Sequence, residues 1–176
     1  MKEILLQVKN LQTYFHSDVG LARAVDGVSF SIASGEAVGI VGESGCGKSV
    51  TARSIMRLID HPGRIVGGQI LFRGEDLVTK TEKEMRQLRG GDIAMIFQDP
   101  LTALNPVLTV GDQIVEAINL HYGTGSLHSN EAWLSRINPI VRKRLHEQAW
   151  QRAIQMMEHV GIPTPEKRMA QHPHQF

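Results

Sequence analysis

The sequence predicts an α/β fold in which a mixed β-sheet core is followed by a helical subdomain. Two observations support this prediction. As far as about residue 107, short apolar or alternating runs are separated by glycines, a pattern typical of strands. From Thr109 onward, apolar residues instead recur at the spacing of helices. We therefore predict a core over residues 1–107 and a helical subdomain over residues 108–176.

Five runs in the core are predicted to form strands. Residues Leu5–Phe15 and Val25–Ile32 alternate between apolar and polar, which indicates half-buried strands, and Gly67–Gly74 is a short strand between glycines. The continuous apolar runs Ala37–Val41 and Ile93–Phe97 are typical of buried strands. We expect these two runs to pair in a parallel sheet, beside an antiparallel part formed by the N-terminal strands.

Helices are predicted over Val50–Ile59 and Thr81–Leu88, and Glu84 stands three residues after Thr81 as in a capping box. Thr109 is a suitable cap for the first helix of the subdomain. Residues 122–144 are polar and irregular, which predicts a loop or an added helical insert. The apolar positions expected to form the stripes of the subdomain are Val110, Ile114, Ala117, Ile118, Ala149, Ala153, Met156, Met157 and Val160. We expect the methionines to fill the core.

The most informative segment is Gly42–Ser49, which reads Gly-Glu-Ser-Gly-Cys-Gly-Lys-Ser and fits the phosphate-binding pattern G-x-x-x-x-G-K-[ST]. We call it the phosphate loop. It joins an apolar run to the start of a predicted helix, where backbone N–H groups and the helix dipole favour an anion. The alternative is a glycine-rich turn with a solvated lysine. The residues predicted to bind the nucleotide here are Gly42, Glu43, Ser44, Gly45, Cys46, Gly47, Lys48, Ser49 and Val50.

Each type of side chain in the phosphate loop has a chemical reason. Glycines allow the backbone to approach phosphate oxygens closely. Lys48 is a flexible point charge for the β- and γ-phosphates, and the Ser49 hydroxyl is a ligand for Mg²⁺. Cys46 is either a reactive thiol or an ordinary occupant of a variable position.

Composition excludes several other classes of function. The chain has 19 basic and 18 acidic residues and a net charge of +1, so electrostatics give no reason to expect a nucleic-acid partner. The single cysteine excludes an internal disulfide and suits a reducing compartment. No apolar run approaches the roughly 20 residues of a membrane span. A role at a membrane therefore requires another subunit.

Three further segments resemble one family. Gln98-Asp99-Pro100 follows an apolar run and continues to Leu104-Asn105-Pro106, which resembles the Q-loop of ATP-binding-cassette (ABC) ATPases in the dipeptide, oligopeptide and nickel importer branch. The aromatic pair Tyr14-Phe15 is similar to the position that stacks on adenine in this family, and we favour Phe15 with Tyr14 close behind. The final residues, His172–Phe176, resemble the segment that leads into the family signature motif.

The resemblance implies a nucleotide site with ATP and Mg²⁺ as cofactors. Lys48 and Gln98 are then the catalytic residues, and Ser49 and Gln98 hold Mg²⁺. The family's signature motif, acidic Mg²⁺-binding strand, catalytic glutamate and switch histidine are expected after Phe176. We therefore expect ATP hydrolysis of the full-length family member, and an incomplete helical subdomain in this chain.

The implied function is that of an ABC importer subunit, which couples binding and hydrolysis of Mg-ATP to uptake of peptides, nickel or related small solutes. Its expected partners are membrane permease subunits, a second ATPase subunit that is identical or related, and indirectly an extracytoplasmic solute-binding protein. The expected location is peripheral, on the cytoplasmic face of the membrane. The alternative is a truncated remnant that binds nucleotide without hydrolysis or transport. A soluble ABC protein that acts on DNA or ribosomes is disfavoured by the nearly neutral charge.

Overall fold

A computed structural model describes residues 3–18, 20–98, 103–121 and 139–176. The chain forms two compact units, Met1–Met95 and Ile96–Phe176, and each is described by itself. The predicted division at residues 107 and 108 stays a prediction. In the described part of the chain, no helix combines the length and the apolar character that crossing a bilayer requires.

The first unit is built on a four-stranded sheet whose order is β2-β1-β3-β4. The strands are β1 (Ile4–Ser17), β2 (Gly20–Ala33), β3 (Gly63–Phe72) and β4 (Glu75–Asp76), and all neighbours are antiparallel. All three longer strands were predicted. β1 and β2 extend beyond their predicted bounds at both ends, whereas β3 begins four residues earlier than predicted and ends at Phe72, two residues before the predicted end. The antiparallel part of the predicted sheet is therefore confirmed.

Two helices cover one face of this sheet, α1 (Lys48–Ile55) and α2 (Glu82–Leu88). Their apolar residues pack against the buried side chains of the strands, and each fully buried side chain of this size contributes about 1.5–3 kcal/mol. The buried hydrophobic residues of this core are Val8, Leu11, Val25, Ile70, Phe72, Leu77 and Met85.

Local signals set the bounds of both helices. Thr81 and Glu84 form the predicted capping box, because the Glu84 N–H donates to the Thr81 hydroxyl and the Thr81 N–H donates to the Glu84 carboxylate at 2.7 Å. The prediction that α1 reaches Ile59 is wrong. Arg57 adopts a left-handed backbone with φ of 50°, and Arg89 donates to the carbonyls of Met56 and Arg57 at 2.8 and 3.1 Å, so the helix ends earlier.

The two predicted buried strands of the parallel core are not strands in this structure. Residues 37–41 and 94–97 are unpaired, and Val41 and Ile96 are 93% and 97% exposed. The described residues supply only one isolated parallel bridge in these runs, between Arg89 and Ile93. A strand needs hydrogen-bond partners as well as apolar side chains, and the apolar pattern indicated only the second.

The second unit contains α3 (Val110–His121), α4 (Pro139–His159), α5 (Pro165–Met169) and a short 3₁₀ helix at Pro173–Gln175. Thr109 caps α3 as predicted, since its hydroxyl accepts from the Asp112 N–H at 3.1 Å. The buried hydrophobic residues of this unit are Val110, Val115, Ile118, Ala149, Ala153, Ile154, Met157 and Met169.

The predicted stripes of the second unit are partly wrong. Ala117, Met156 and Val160 are exposed, whereas Val115 and Ile154 are buried and were not predicted. Helix crossing decides which positions face the partner helix, and the spacing alone leaves this open. Residues 139–144 belong to α4 rather than to a loop, and residues 122–138 lie outside the described residues.

Candidate phosphate-binding site

The phosphate loop leads directly into α1, which starts at Lys48. Gly45 and Gly47 have φ of 82° and 93°, in the left-handed region that favours glycine. Gly47 is the N-cap of α1, and neither a side-chain cap nor an acidic residue is present in the first turn. The first N–H groups of the helix are therefore left for an anion, with the positive end of the helix dipole behind them.

The loop is fixed against strand β2 at Gly47. A Cβ atom on this residue would lie only 2.3 Å from the Ala24 carbonyl oxygen and 3.6 Å from Val25 Cγ2. Ala24 is an extra residue on β2, because Thr13 pairs with Val25 while the next residue of β1, Tyr14, pairs with Arg23. The bulge therefore lies where the strand meets the loop, and only glycine fits opposite it.

The Lys48 side chain folds back over the phosphate loop. Its ammonium group donates to the carbonyl oxygens of Gly42 at 2.8 Å and Glu43 at 2.6 Å, and lies 3.5 Å from Cys46 Sγ. A positive charge is thus held at the loop, beside the backbone N–H groups. Cys46 is an exposed free thiol.

Ser49 is exposed, and its hydroxyl makes no hydrogen bond within the described part of the chain. A free hydroxyl oxygen next to a phosphate site fits Mg²⁺, which prefers oxygen ligands and usually completes its shell with water and phosphate. Among the described residues, no group of three or more histidine, cysteine, aspartate or glutamate side chains could hold a metal ion. A magnesium ion here would therefore depend on the phosphates as well as on Ser49.

Gln98 is exposed and belongs to the second unit, so its predicted role beside Ser49 stays a prediction. Asp99 and Pro100, the next two residues of the resemblance, lie outside the described residues.

The two candidate aromatic residues lie on opposite faces of β1. Tyr14 donates its hydroxyl to Asp26 at 2.7 Å, and the Arg23 guanidinium lies 5.6 Å from the centre of its ring. The hydrogen bond to Asp26, followed by desolvation, raises the pKa of the Tyr14 hydroxyl. The ring of Tyr14 is therefore already engaged by side chains of β2.

Phe15 lies on the face of β1 that carries α1. A Cβ atom on Gly63 would lie 2.5 Å from the Phe15 ring and 2.7 Å from Ile59 Cγ2, in the segment after α1. This placement on the α1 face is consistent with favouring Phe15 over Tyr14 for stacking on the base. Its role in binding stays a prediction.

Two buried polar residues near this site were not predicted. Thr13 and Ser54 are both 0% exposed, and their hydroxyl oxygens lie 2.8 Å apart. The sequence contained one signal for Thr13, because it stands on the same face of β1 as the buried Leu11 in a strand of alternating pattern. Nothing in the pattern pointed to Ser54.

Comparisons with known proteins agree with the resemblance. A family model described as ABC transporter matches residues 25–176. The dipeptide transport ATP-binding protein DppD of Escherichia coli (strain K12) is 46% identical over 172 residues, which are 98% of this chain and 46% of that protein. The oligopeptide transport ATP-binding protein OppD of Bacillus subtilis (strain 168) is 46% identical over 173 residues, 98% of this chain and 43% of that protein. The chain thus spans less than half the length of these relatives.

A solved structure shows the same fold. A bacterial ABC transporter cassette, determined as a dimer, superposes with a TM-score of 0.74 at 20% identity, over 97% of this chain and 62% of that one. The predicted fold class, an α/β cassette with a phosphate loop, is confirmed.

Proposed function

The chain belongs to the ABC transporter family, and from that premise we propose that it binds Mg-ATP at the phosphate loop as the ATP-binding part of an importer for peptides or related small solutes. The observation that best supports nucleotide binding is the Lys48 ammonium group, which lies on the loop carbonyls of Gly42 and Glu43 beside the uncapped start of α1. Positive charge and free N–H groups are together what a triphosphate requires.

We assign the roles of the site residues as follows. The backbone N–H groups of Gly42–Val50 surround the phosphates, and Lys48 places its charge on the β- and γ-phosphates. Phe15 stacks on the adenine, with Tyr14 as the second choice. Ser49 and Gln98 hold Mg²⁺, which when bound offsets the negative charge of the phosphates. Gln98 also orients the attacking water.

The names of the relatives support the wider function. Proteins 46% identical to this chain are named for dipeptide and oligopeptide transport. We infer that the protein is peripheral on the cytoplasmic face of the membrane and acts on permease subunits. A second ATPase subunit completes the site, a solute-binding protein takes part indirectly, and no nucleic acid is bound.

Substitution of Lys48 tests the binding site. In the protein expressed from its complete reading frame, Lys48→Ala should weaken binding of Mg-ATP by roughly tenfold to a hundredfold, because a hydrogen bond to a charged group contributes about 1.5–3 kcal/mol. Isothermal titration calorimetry measures this loss. Lys83→Ala is the matched control, since Lys83 is an exposed lysine on α2 outside the loop, and it should bind like the wild type.

The calorimetry separates the outcomes. If the wild type does not bind Mg-ATP, or if Lys48→Ala binds it equally well, the proposed site is wrong. Phosphate release then decides between the two functional alternatives. Steady turnover supports a transport ATPase, whereas binding without turnover supports the remnant that only holds nucleotide.

A further inference from the structure

The hydrogen bond between Thr13 and Ser54 has a defined direction. The Ser54 hydroxyl donates to the Val50 carbonyl oxygen at 2.7 Å, which uses its single hydrogen. The Thr13 hydroxyl must therefore donate to the Ser54 oxygen, 2.8 Å away. Both residues are fully buried, so water does not compete for this bond. Strand β1 is thus joined to the last turn of α1 by one oriented contact.

Neighbouring residues of β1 and β2 lie against both ends of α1. Thr13 on β1 and Val25 on β2 are directly opposite each other. The carbonyl of Ala24, which precedes Val25, leaves no space for a Cβ atom on Gly47 at the start of the helix, and Thr13 holds Ser54 near its end. Gly47 and Ser54 are seven positions apart, which is roughly 10 Å along the helix axis. Two contacts this far apart determine both the position and the direction of the helix axis.

The same strand also presents the aromatic residue. Phe15 follows Thr13 by two positions, on the same face of β1. Because the phosphate loop leads directly into α1, the Thr13–Ser54 bond sets the separation between Phe15 and the loop. A nucleotide that contacts both must match this separation, whereas a ligand that contacts the loop alone does not.

We propose that Thr13 is a positioning residue, which aligns the base-stacking strand with the phosphate-binding helix through its hydrogen bond to Ser54. This inference rests on the proposed binding of a nucleotide between Phe15 and the phosphate loop. Thr13 itself contacts neither the base nor the phosphates in this arrangement. Its contribution is the fixed distance between the two parts of the site.

The test compares two ligands in the protein expressed from its complete reading frame. Thr13→Val removes the hydroxyl at nearly constant shape and leaves no unpaired donor, because Ser54 keeps its bond to Val50. We expect this variant to bind Mg-ATP roughly three- to tenfold more weakly, as for the loss of one hydrogen bond. Its affinity for magnesium tripolyphosphate should change by less than about twofold, since that ligand uses the loop alone. Calorimetry gives both affinities.

Two control variants separate positioning from a loss of stability. Thr13→Ser keeps the hydroxyl and should restore the affinity for Mg-ATP. Ile70→Val removes one buried methylene group from the same sheet, leaves the Thr13–Ser54 bond intact and should affect neither ligand. If Thr13→Val does not fold, Ser54→Ala removes the acceptor instead and takes its place.

The pattern of losses decides the outcome. Equal weakening of both ligands in Thr13→Val, or no weakening of either, overturns the positioning role while leaving nucleotide binding in place. Failure of the wild type to bind Mg-ATP overturns the proposed function, and this inference with it. A selective loss of Mg-ATP affinity that serine restores supports the inference.

Discussion

The paired strands of the sheet and the two unpaired apolar runs both carry apolar side chains, but in different environments. On β3, Ile70 is 0% exposed between two strands, whereas Val41, just before the phosphate loop, is 93% exposed. Ile96, in the second run, is 97% exposed. The difference shows that apolar character gives a segment the capacity to be a buried strand, and that a hydrogen-bonding neighbour decides whether it becomes one.

The largest expected effect comes from placing a charge in each environment. Ile70→Asp buries a carboxylate without a partner in the core, and we expect a loss of at least about 4 kcal/mol and failure to fold. In the 176-residue chain, Val41→Asp places the same charge in solvent, and we expect a change within about 0.5 kcal/mol. Unfolding in urea, followed by circular dichroism, measures both variants.

The comparison fails if the two variants behave alike. A Val41→Asp protein that unfolds would show that Val41 is packed in the protein, against a neighbour other than the described residues. A soluble Val41→Asp protein with an unchanged unfolding midpoint would agree with the exposure seen here. Ile70→Val, which conserves the apolar character, should fold in either case.

A second pair of variants compares the phosphate loop with the run that precedes it. Gly47→Ala combines a left-handed backbone with a contact of 2.3 Å to the Ala24 carbonyl oxygen, and we expect destabilisation of about 3 kcal/mol. Gly39→Ala meets nothing within 4 Å and has an ordinary backbone, so it should be neutral or slightly stabilising. The free energies of unfolding in urea give the difference between them.

Gly45→Ala is the control that separates the two causes of destabilisation in Gly47→Ala, the backbone strain and the steric contact. Gly45 has φ of 82° but a Cβ atom there would meet nothing within 4 Å, so only the backbone strain of about 1–2 kcal/mol remains. If Gly47→Ala and Gly45→Ala are equally stable, β2 can move away from the loop without a loss in the free energy of unfolding.

The sequence predicted those parts of the fold whose signals are local. The capping box at Thr81 and the cap at Thr109 each depend on residues within a few positions, and the positions of β1, β2 and β3 were indicated by short local patterns even though their pairing is not local. What could not be predicted depends on distant parts of the chain. The early end of α1 requires Arg89, which lies more than 30 residues away. Whether Ala37–Val41 forms a strand depends on the presence of partner strands.

The candidate site divides in the same way. The phosphate loop could be recognised because its glycines, Lys48 and Ser49 lie within eight consecutive residues, at the spacing of the phosphate-binding pattern. The preference for Phe15 over Tyr14 was already given by the sequence, and the faces of β1 add only that the two side chains lie on opposite sides of the strand. The Thr13–Ser54 bond joins residues 41 positions apart and could be found only from the fold.

The smallest expected loss of stability comes from the cap of helix α2. This cap is formed by residues three positions apart and needs no distant partner. Thr81→Ala removes the hydroxyl that accepts from the Glu84 N–H, and the loss should be about 1 kcal/mol. Urea unfolding at neutral pH measures it. A loss as large as that of Gly47→Ala would show that the cap also supports contacts beyond its own turn.

The capping box should also make the stability depend on pH. Hydrogen bonds from the Thr81 hydroxyl and then from the Thr81 N–H lower the pKa of Glu84 from its usual 4.5. A carboxylate with a lowered pKa stabilises the fold above its unfolded pKa, and this stability is lost as the pH falls through the folded pKa. Glu84→Gln keeps an acceptor for the Thr81 N–H but does not titrate. The wild type should therefore lose stability relative to Glu84→Gln below about pH 4.5.

Urea unfolding of both proteins, at neutral pH and in acid, gives this difference directly. Arg89, through its hydrogen bond, lowers the pKa of Glu82 as well, but this pair is unchanged in the variant and cancels in the comparison. A difference between the two proteins that stays constant with pH would mean that Glu84 is as well solvated in the folded protein as in the unfolded chain. A difference that grows in acid would show that the charge of Glu84, held by Thr81, stabilises α2.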